Sequence, residues 1–236
     1  MVETFVACDR KTEALLLAAE SAVSLALSTF DSLVSTADVP VVQLDSVAEW
    51  RRGYSFKGSD YADDEGFPFL TLASVDRGGG YRTDGLKYLK TEPKASCIAV
   101  PGDLLVANTD LTPGREFIGR PFIVPEALKT VGFSHHLSRI TTKDDSLHEW
   151  LFWELQSPSS RKFVRSIARG STVIMLDMRA LGNWPVRVPP AQTRAEILHR
   201  IHVAMTLGLK AGGQLTATTN LRTALLSELV GGSGVH

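Results

Sequence analysis

Apolar positions near the start of the chain recur with the period of a helix. Between residues 10 and 34 they step by three and four, which is the seam of a coiled coil. The seam consists of Leu16, Ala19, Val23, Ala26, Phe30 and Leu33. Asp38 and Pro40 follow it and are typical of a helix stop. The pattern predicts a long helix that packs on a partner helix, with an ordinary amphipathic core helix as the alternative.

A second seam follows Pro190. It consists of Ile197, Ile201, Ala204, Gly208, Ala211, Leu215 and Thr218, and after a small phase shift of Leu221, Leu225 and Leu229. Its small residues weaken a helix but let a partner helix approach closely. The two seams are of similar length, so we expect the two helices to pack antiparallel on each other.

The region between the helices has a different pattern. Short apolar runs such as FPFLTLASV (67–75) alternate with turn signals and with the glycine-rich break RGGGYRTDG (77–85). Such spacing is typical of a β-rich globular region. The predicted fold class is α+β, with a β-rich globular domain flanked by two long antiparallel coiled-coil helices. The predicted boundaries are 1–37 for the first helix, 38–190 for the domain, 191–232 for the second helix and 233–236 for a tail.

Two shorter helices close the globular region, and Ser157 with Pro158 predicts where the second begins. On a helical wheel its apolar residues lie opposite a single cationic arc. The arc contains Arg161, Lys162, Arg165 and Arg169. We expect this helix to show all four cations to solvent and to stop at Gly170. STVIML (171–176) then predicts a buried strand, and WPVRVPP (184–190) an extended edge segment.

Composition narrows the function. The 236 residues carry a formal net charge of −1, so any nucleic-acid contact must rest on a local patch. Cys8 and Cys97 show no metal-ligand spacing, which predicts free thiols and no zinc site. The chain shows no signal layout and no uninterrupted apolar stretch of about 18 residues. We expect a cytoplasmic protein without membrane contact.

The residues offer no convincing catalytic constellation. Gly78–Gly80 lie in no phosphate-binding pattern and indicate a flexible turn. His135 and His136 are adjacent, so on a strand their side chains would point to opposite faces and serve poorly as joint metal ligands. The acidic run at 63–65 is typical of a solvated loop. The pattern predicts a binding protein with no catalytic residue, no metal and no cofactor.

Five stretches, taken in order, resemble those of a known family. They are LDSVAEWRRGYSFKG (44–58), PGDLLVANTD (101–110), LFWELQSPSSRKFVRSIARGST (151–172), WPVRVPPAQTRAEI (184–197) and LRTALLSELVGG (221–232). The family is that of the specificity (S) subunits of type I restriction–modification systems. Each stretch alone is a weak signal, but their order and spacing together are fairly specific. The chain resembles a half-length form with one target-recognition domain.

The resemblance implies a non-catalytic protein that works through other subunits. In this family the target-recognition domain, here 38–190, reads one half of a split site in double-stranded DNA. The long helices, here 1–37 and 191–232, act as a spacer and dock the methyltransferase (M) subunits, and the restriction/translocase (R) subunit joins that assembly. Thr193 and Arg194 stand where the family often has Glu-Gln, which leaves the contact made by that pair open.

One recognition domain in place of two implies a homodimer through the long helices and a palindromic split site. The second half of a split gene is the alternative. The residues predicted at the dimer or subunit interface are Leu16, Val23, Phe30, Ile197, Ile201, Leu215 and Leu225.

The predicted DNA-binding residues are cations and polar side chains of the globular region. They are Arg51, Arg52, Tyr54, Lys57, Arg77, Arg82, Asn108, Thr109, Arg115, Arg120, Arg161, Lys162, Arg165, Arg169, Ser171 and Thr172. Cations neutralise phosphates, while an arginine can pair with guanine and Asn108 with adenine in the major groove. The alternative for each cation is a solvated surface charge, and Tyr54 and Phe56 also fit a core.

Three rival functions stay open. A stand-alone DNA-binding regulator would share the module but need no methyltransferase partner. An enzyme acting on a small polar substrate would need a deep pocket with perturbed titratable groups. A helical scaffold that binds only proteins would tolerate charge reversal at Arg161 and Arg165.

Overall fold

The computed structural model describes residues 2–36, 39–63 and 65–210, with side chains from residue 17 onward. The chain divides into two compact units. The helical unit contains the residues up to Thr36 and those from Ala195 onward, and the globular unit contains Ala37–Arg194.

The helices and strands follow in chain order. The helices are α1 Val2–Thr36, α2 Leu44–Val47, α3 His148–Gln156, α4 Pro158–Ile167 and α5 191–210. The strands are β1 Val41–Gln43, β2 Ala48–Arg52, β3 Phe67–Leu70, β4 Lys87–Leu89, β5 Ile98–Ala99, β6 Leu104–Ala107, β7 Thr109–Asp110, β8 Pro121–Ile123, β9 Val131–Phe133, β10 Leu137–Thr142, β11 Ala168–Arg169, β12 Ile174–Leu176 and β13 Pro185–Arg187. Short 3₁₀ turns lie at Gly58–Asp60, Leu72–Ser74, Thr83–Gly85, Ala95–Cys97, Asp145–Leu147 and Ala180–Asn183.

In the helical unit, α1 buries one side chain in every four from residue 17 onward. The buried stripe is Ala18, Ala22, Ala26, Phe30 and Val34. A Cβ added at Gly208 of α5 would come within 2.6 Å of the Ala22 Cα, so the two helix backbones touch there. The predicted seam is therefore shifted, since Val23 is only half-buried. Small residues at every fourth position let the helices meet along an i, i+4 ridge instead of a heptad seam.

Three of the predicted interface residues are covered within the single chain. Phe30, Ile197 and Ile201 are buried in the packing of one chain. Their burial does not support a contact with a second copy or another subunit, and that part of the interface stays a prediction. Leu215, Leu225 and the side chain of Leu16 lie outside the described residues.

Part of α1 has the length and composition of a membrane-spanning helix. Leu17–Thr36 has a mean hydropathy of 1.3. No membrane-spanning stretch was predicted from the sequence because that prediction required uninterrupted apolar residues. The mean hydropathy is averaged over the stretch, so it stays high despite Glu20 and the serines. A mostly buried core helix of a soluble protein and a signal sequence pass the same test, so one such helix is weak evidence for a membrane span. In this helix 28% of the stretch is buried, along the stripe from Ala18 to Val34.

The globular unit is built from small sheets. Their strand orders are β1-β13, β2-β10-β6-β8, β11-β12-β7 and β4-β3-β9-β5, and among these pairs only β3 and β9 run parallel. Side chains from several of the strands form one apolar core. It contains Leu70, Val75, Ala99, Leu105, Ala107, Phe122, Val124, Val131, Phe133 and Leu137. The core gives the surface loops a rigid base.

Helices α3 and α4 close this unit. The Ser157 hydroxyl caps α4 by accepting a hydrogen bond from the Ser160 amide at 3.3 Å, and Pro158 is its first residue, as predicted. The helix ends at Ile167, earlier than the predicted stop. Ala168 adopts an extended conformation there because it pairs with Leu176 in the next sheet. The strand predicted over 171–176 is confirmed for Ile174–Leu176, which form β12, whereas 171–173 form a bend and Met175 is exposed.

The segment that leads into α5 is anchored to the globular unit. Strand β13 pairs only with β1, as expected of an edge segment that carries prolines. Arg194 is buried and donates to the Pro189 carbonyl at 3.3 Å and to the Ser146 hydroxyl at 2.6 Å. This arginine, which departs from the family pattern, therefore forms its contacts within the globular unit, of which it is the last residue.

Candidate nucleic-acid interface

Five arginines meet where the β7–β8 loop, residues 111–120, runs along α4. This arginine cluster consists of Arg77, Arg115, Arg120, Arg161 and Arg165. The Arg115 guanidinium donates to the Arg165 carbonyl at 2.7 Å, which joins the loop to the helix. The Arg120 Nε donates to the Glu116 carbonyl at 3.1 Å, and the Glu116 carboxylate lies 3.4 Å from the Arg77 Nε.

The cluster carries an excess of positive charge. Burial and then the charge of Arg165 lower the pKa of Arg120. Burial, Arg120 and Arg165 together lower the pKa of Arg161 to about 9, so Arg161 stays charged at neutral pH. Like charges held this close attract a counter-anion, and arginine binds phosphate through strong charge-assisted hydrogen bonds.

Arg161 is not on the solvent face, and this prediction is wrong. Its side chain is buried, and its guanidinium donates to the carbonyls of Ile118, Glu116 and Arg115. Loop 111–120 covers α4 at this point. The backbone carbonyls of the loop accept hydrogen bonds from Arg161, which is therefore held in the interior. Lys162, Arg165 and Arg169 are exposed as predicted, although Arg169 lies on β11 and pairs with Asp177 at 3.0 Å.

A second group of predicted residues surrounds the turn at His135 and His136, here called the histidine turn. Arg51 and Arg52 are exposed at the end of β2, and the Arg52 Nε donates to the His135 carbonyl at 2.7 Å. The Phe56 ring lies 5.6 Å from the His135 ring. Tyr54 and Phe56 also contact Phe69 edge-on, which favours their role in packing.

The two histidines differ from the sequence prediction. They form a turn between β9 and β10 instead of part of a strand, so their rings lie on the same side with centroids 4.0 Å apart. Burial, then His135 and then Arg52 lower the pKa of His136 from 6.5 to about 4. Burial also lowers the pKa of His135. Within the described part of the chain, no three potential ligand residues come together to hold a metal ion.

Asn108 and Thr109 are buried and hold the histidine turn. The Asn108 side chain donates to the His135 carbonyl at 3.3 Å, and the Thr109 hydroxyl is hydrogen-bonded to the His136 Nδ1 at 3.0 Å. The side-chain amide of Asn108 therefore points inward, which does not support a contact with adenine, and that contact stays a prediction. Asn108 lies between β6 and β7, where its backbone is hydrogen-bonded to His136 of the turn and to Leu176 of β12.

The remaining predicted residues are exposed at the edges of these groups. Lys57 lies in the loop after β2, and Arg82 pairs with Asp84 at 2.5 Å. Ser171 and Thr172 form the exposed turn between β11 and β12. This turn belongs to the sheet β11-β12-β7, which also holds Thr109 beside the histidine turn and Asp110 beside the arginine cluster.

Sequence reasoning missed several residues of this surface. Leu111, Val173 and Met175 are exposed apolar side chains, with Leu111 65% exposed, and they lie on or beside the paired strands β7 and β12. The buried carboxylate of Asp110 was missed as well. Its signal was present, since an aspartate followed by a threonine two residues later is typical of an Asx turn.

A comparison with protein-family models supplies the deciding observation. Residues 37–209 match the family described as "Type I restriction modification DNA specificity domain". The chain belongs to this family. The resemblance predicted from the five sequence stretches is thus confirmed, and the specificity-domain match covers the whole globular unit together with almost all of α5.

Solved structures of this family share the fold. One comes from work on "complex assembly and conformational transition of the type I R-M system": it is 20% identical, with a TM-score of 0.59 over 96% of this chain and 57% of that chain. Another is the HsdS subunit from Thermoanaerobacter tengcongensis: it is 18% identical, with a TM-score of 0.53 over 96% of this chain and 56% of that chain. The chain thus spans a little over half the length of these relatives. The predicted mixed α+β fold is confirmed, and its two long helices are consistent with these structures. A comparison with curated proteins gave no match.

Proposed function

We propose that this chain reads one half of a bipartite DNA site for a type I restriction–modification complex and catalyses no reaction itself. Membership of the DNA specificity family supports a role in DNA recognition. The arginine cluster is the observation that supports particular residues as the DNA-binding surface. The chain has a net charge of −1, yet five of its arginines lie together where loop 111–120 meets α4. Such a local patch attracts a polyanion without making the whole protein basic.

The arginine cluster suits the DNA backbone. Lys162 and Arg165 project from the exposed side of α4, and Arg115 is held beside them by its bond to the Arg165 carbonyl. Contacts to phosphates fix the position of a reader on the duplex but carry no sequence information themselves. The exposed cations and hydroxyls at the loops then contact base edges. The proposed contact set is Arg51, Arg52, Tyr54, Lys57, Arg77, Arg82, Arg115, Arg120, Lys162, Arg165, Arg169, Ser171 and Thr172.

The helices carry this domain to its partners. We propose that M subunits dock on the spacer helices, that the R subunit joins the assembly, and that two copies form a homodimer in the cytoplasm. The helices retain exposed apolar side chains after they have packed within one chain. These are Leu17, Leu25, Val203, Leu207 and Leu209. We propose that residues 38–190 form the recognition domain, with the first spacer helix before it and the second spacer helix after it.

A target-selection experiment tests the proposed function. The purified chain, with and without its M subunit, is incubated with a random duplex library, and the bound fraction is sequenced. We expect enrichment of a single bipartite motif with two related halves when M is present. Equal enrichment by the chain alone would favour a stand-alone regulator. Failure to enrich any motif in the presence of M would contradict the proposal.

A further inference from the structure

The loop that carries Arg115 is folded into a fixed shape. It leaves β7 after Asp110 and reaches β8 at Pro121. Two of its residues adopt the left-handed backbone conformation, Arg115 with φ 51° and Gly119 with φ 68°. This conformation is unfavourable for a residue with a side chain, so surrounding contacts must hold Arg115 in it.

Asp110 holds the loop from one side. It is fully buried, and its carboxylate accepts four hydrogen bonds from the loop. One oxygen accepts from the amide and the hydroxyl of Thr112, at 2.6 and 2.7 Å. The other accepts from the amides of Phe117 and Ile118, at 2.6 and 2.9 Å. Residues near both ends of the loop thus converge on one carboxylate.

Arg161 holds the loop from the other side. Its guanidinium donates to the carbonyls of Arg115, Glu116 and Ile118. The carboxylate of Asp110 thus collects amide hydrogens of the loop, while the guanidinium of Arg161 collects its carbonyl oxygens. Neither side chain reaches solvent, and a buried charge that lost these partners would be strongly destabilising.

The two anchors shape a surface that is exposed on its outer side. Leu111, Pro113 and Gly114 face solvent at the tip of the loop. The Arg115 guanidinium lies on the Arg165 carbonyl, so the loop and the exposed side of α4 form one continuous surface. A loop that is already ordered loses little conformational entropy when it binds, and it can hold side chains in one register against a ligand.

We propose that residues 111–119 form a preformed DNA-reading loop and that Asp110 and Arg161 are its positioning residues. This inference rests on the proposed function and deepens it. Neither positioning residue touches DNA. They act by fixing the loop, so they govern discrimination between sequences and not the general attraction to phosphates.

The test compares Arg161→Lys and Thr112→Val with Arg139→Lys as the matched control. A lysine cannot serve three carbonyls at once, and valine removes one hydroxyl that donates to Asp110. Arg139 is also partly buried and donates to the Ile98 carbonyl at 2.8 Å and to the Asp103 carboxylate at 3.3 Å, but it lies on β10 and has no hydrogen bond to the loop among the described residues. Each variant is assembled with the M subunit, and its affinity is measured for the selected motif and for a scrambled duplex.

We expect the affinity ratio of motif to scrambled duplex to fall by about tenfold for Arg161→Lys and by less for Thr112→Val. Hydrogen–deuterium exchange at 111–119 should accelerate in both variants. Affinity for the scrambled duplex and its salt dependence should stay unchanged, and Arg139→Lys should behave as the wild type.

Two results would overturn the inference. An unchanged ratio despite faster exchange would show that loop order is irrelevant to reading. A weaker salt dependence in Arg161→Lys would show that a phosphate contact is lost, from Arg161 itself or from Arg115 on the loop, and would contradict the claim that the positioning residues govern discrimination alone. If the wild-type assembly itself fails to discriminate, the proposed function fails first, and this is seen in the wild-type measurement before any variant is compared.

Discussion

The arginine cluster and the histidine turn lie on either side of one short strand, yet they handle charge in opposite ways. At the cluster, Arg161 stays charged in the interior because three carbonyls surround it. At the turn, burial holds His136 in its neutral form at neutral pH. Strand β7 serves both, through Asp110 on one side and Thr109 on the other. A small domain can therefore keep one part of its surface permanently cationic and let another respond to pH.

The largest effect should come from removing the carboxylate at the cluster. Asp110→Ala leaves four loop donors without their acceptor, and we expect the free energy of unfolding to fall by about 4 kcal/mol. Burial raises the pKa of Asp110, but its hydrogen bonds from Thr112, Ile118 and Phe117 outweigh this and lower it below 3.8. The anchor therefore persists above that pH. Urea denaturation measures the change.

The control for this variant is Asp84→Ala. Asp84 pairs with Arg82 on the surface, where solvent screens the ion pair, so no measurable change in stability is expected. Equal losses in the two variants would show that the bonds to Asp110 do not hold the loop.

A smaller effect should come from the glycine where the loop meets α4. A Cβ at Gly119 would meet the Val164 Cγ1 at 2.5 Å in a left-handed backbone conformation. We expect Gly119→Ala to cost about 3 kcal/mol in thermal unfolding. Gly102 has a similar φ of 88° but open space around it, so Gly102→Ala isolates the backbone cost of about 1 kcal/mol. Identical losses would mean that the loop and helix are not tightly packed.

The smallest effect should be the pH response of the histidine turn. Folding lowers the pKa of His136, so when the pH falls the histidine is protonated in the unfolded chain before it is protonated in the folded one. Stability should therefore fall as the pH drops from about 6.5 to about 4, the two pKa values of His136. We expect His136→Asn to flatten this slope in urea denaturation, with pH 8 as the reference where histidine is neutral in both states. A slope as steep as that of the wild type would assign the response to other groups.

Periodic and local features of the sequence predicted the helices and the mixed fold. Contacts between segments that are distant in the sequence could not be predicted in this way. Ser157 and Pro158 correctly predicted where α4 begins, because helix capping depends only on neighbouring residues. The helical wheel placed Arg161 in solvent because it scores residue type and cannot show that the facing surface is a loop rich in free carbonyls. His135 and His136 were placed on a strand because nothing nearby in the sequence marks their turn. The inward orientation of Asn108 could not be predicted either, because its hydrogen-bond partner, the His135 carbonyl, is 27 residues away in the sequence.

The salt dependence of DNA binding tests the central claim most directly. The wild-type assembly with M is compared with a Lys162→Gln, Arg165→Gln double variant, and with Lys129→Gln, an exposed cation outside the proposed contact set. If α4 contacts phosphates, the double variant should bind more weakly, and its slope of log affinity against log salt should be shallower by about two. A slope equal to that of the wild type and of Lys129→Gln would contradict the claim that the exposed side of α4 contacts DNA phosphates.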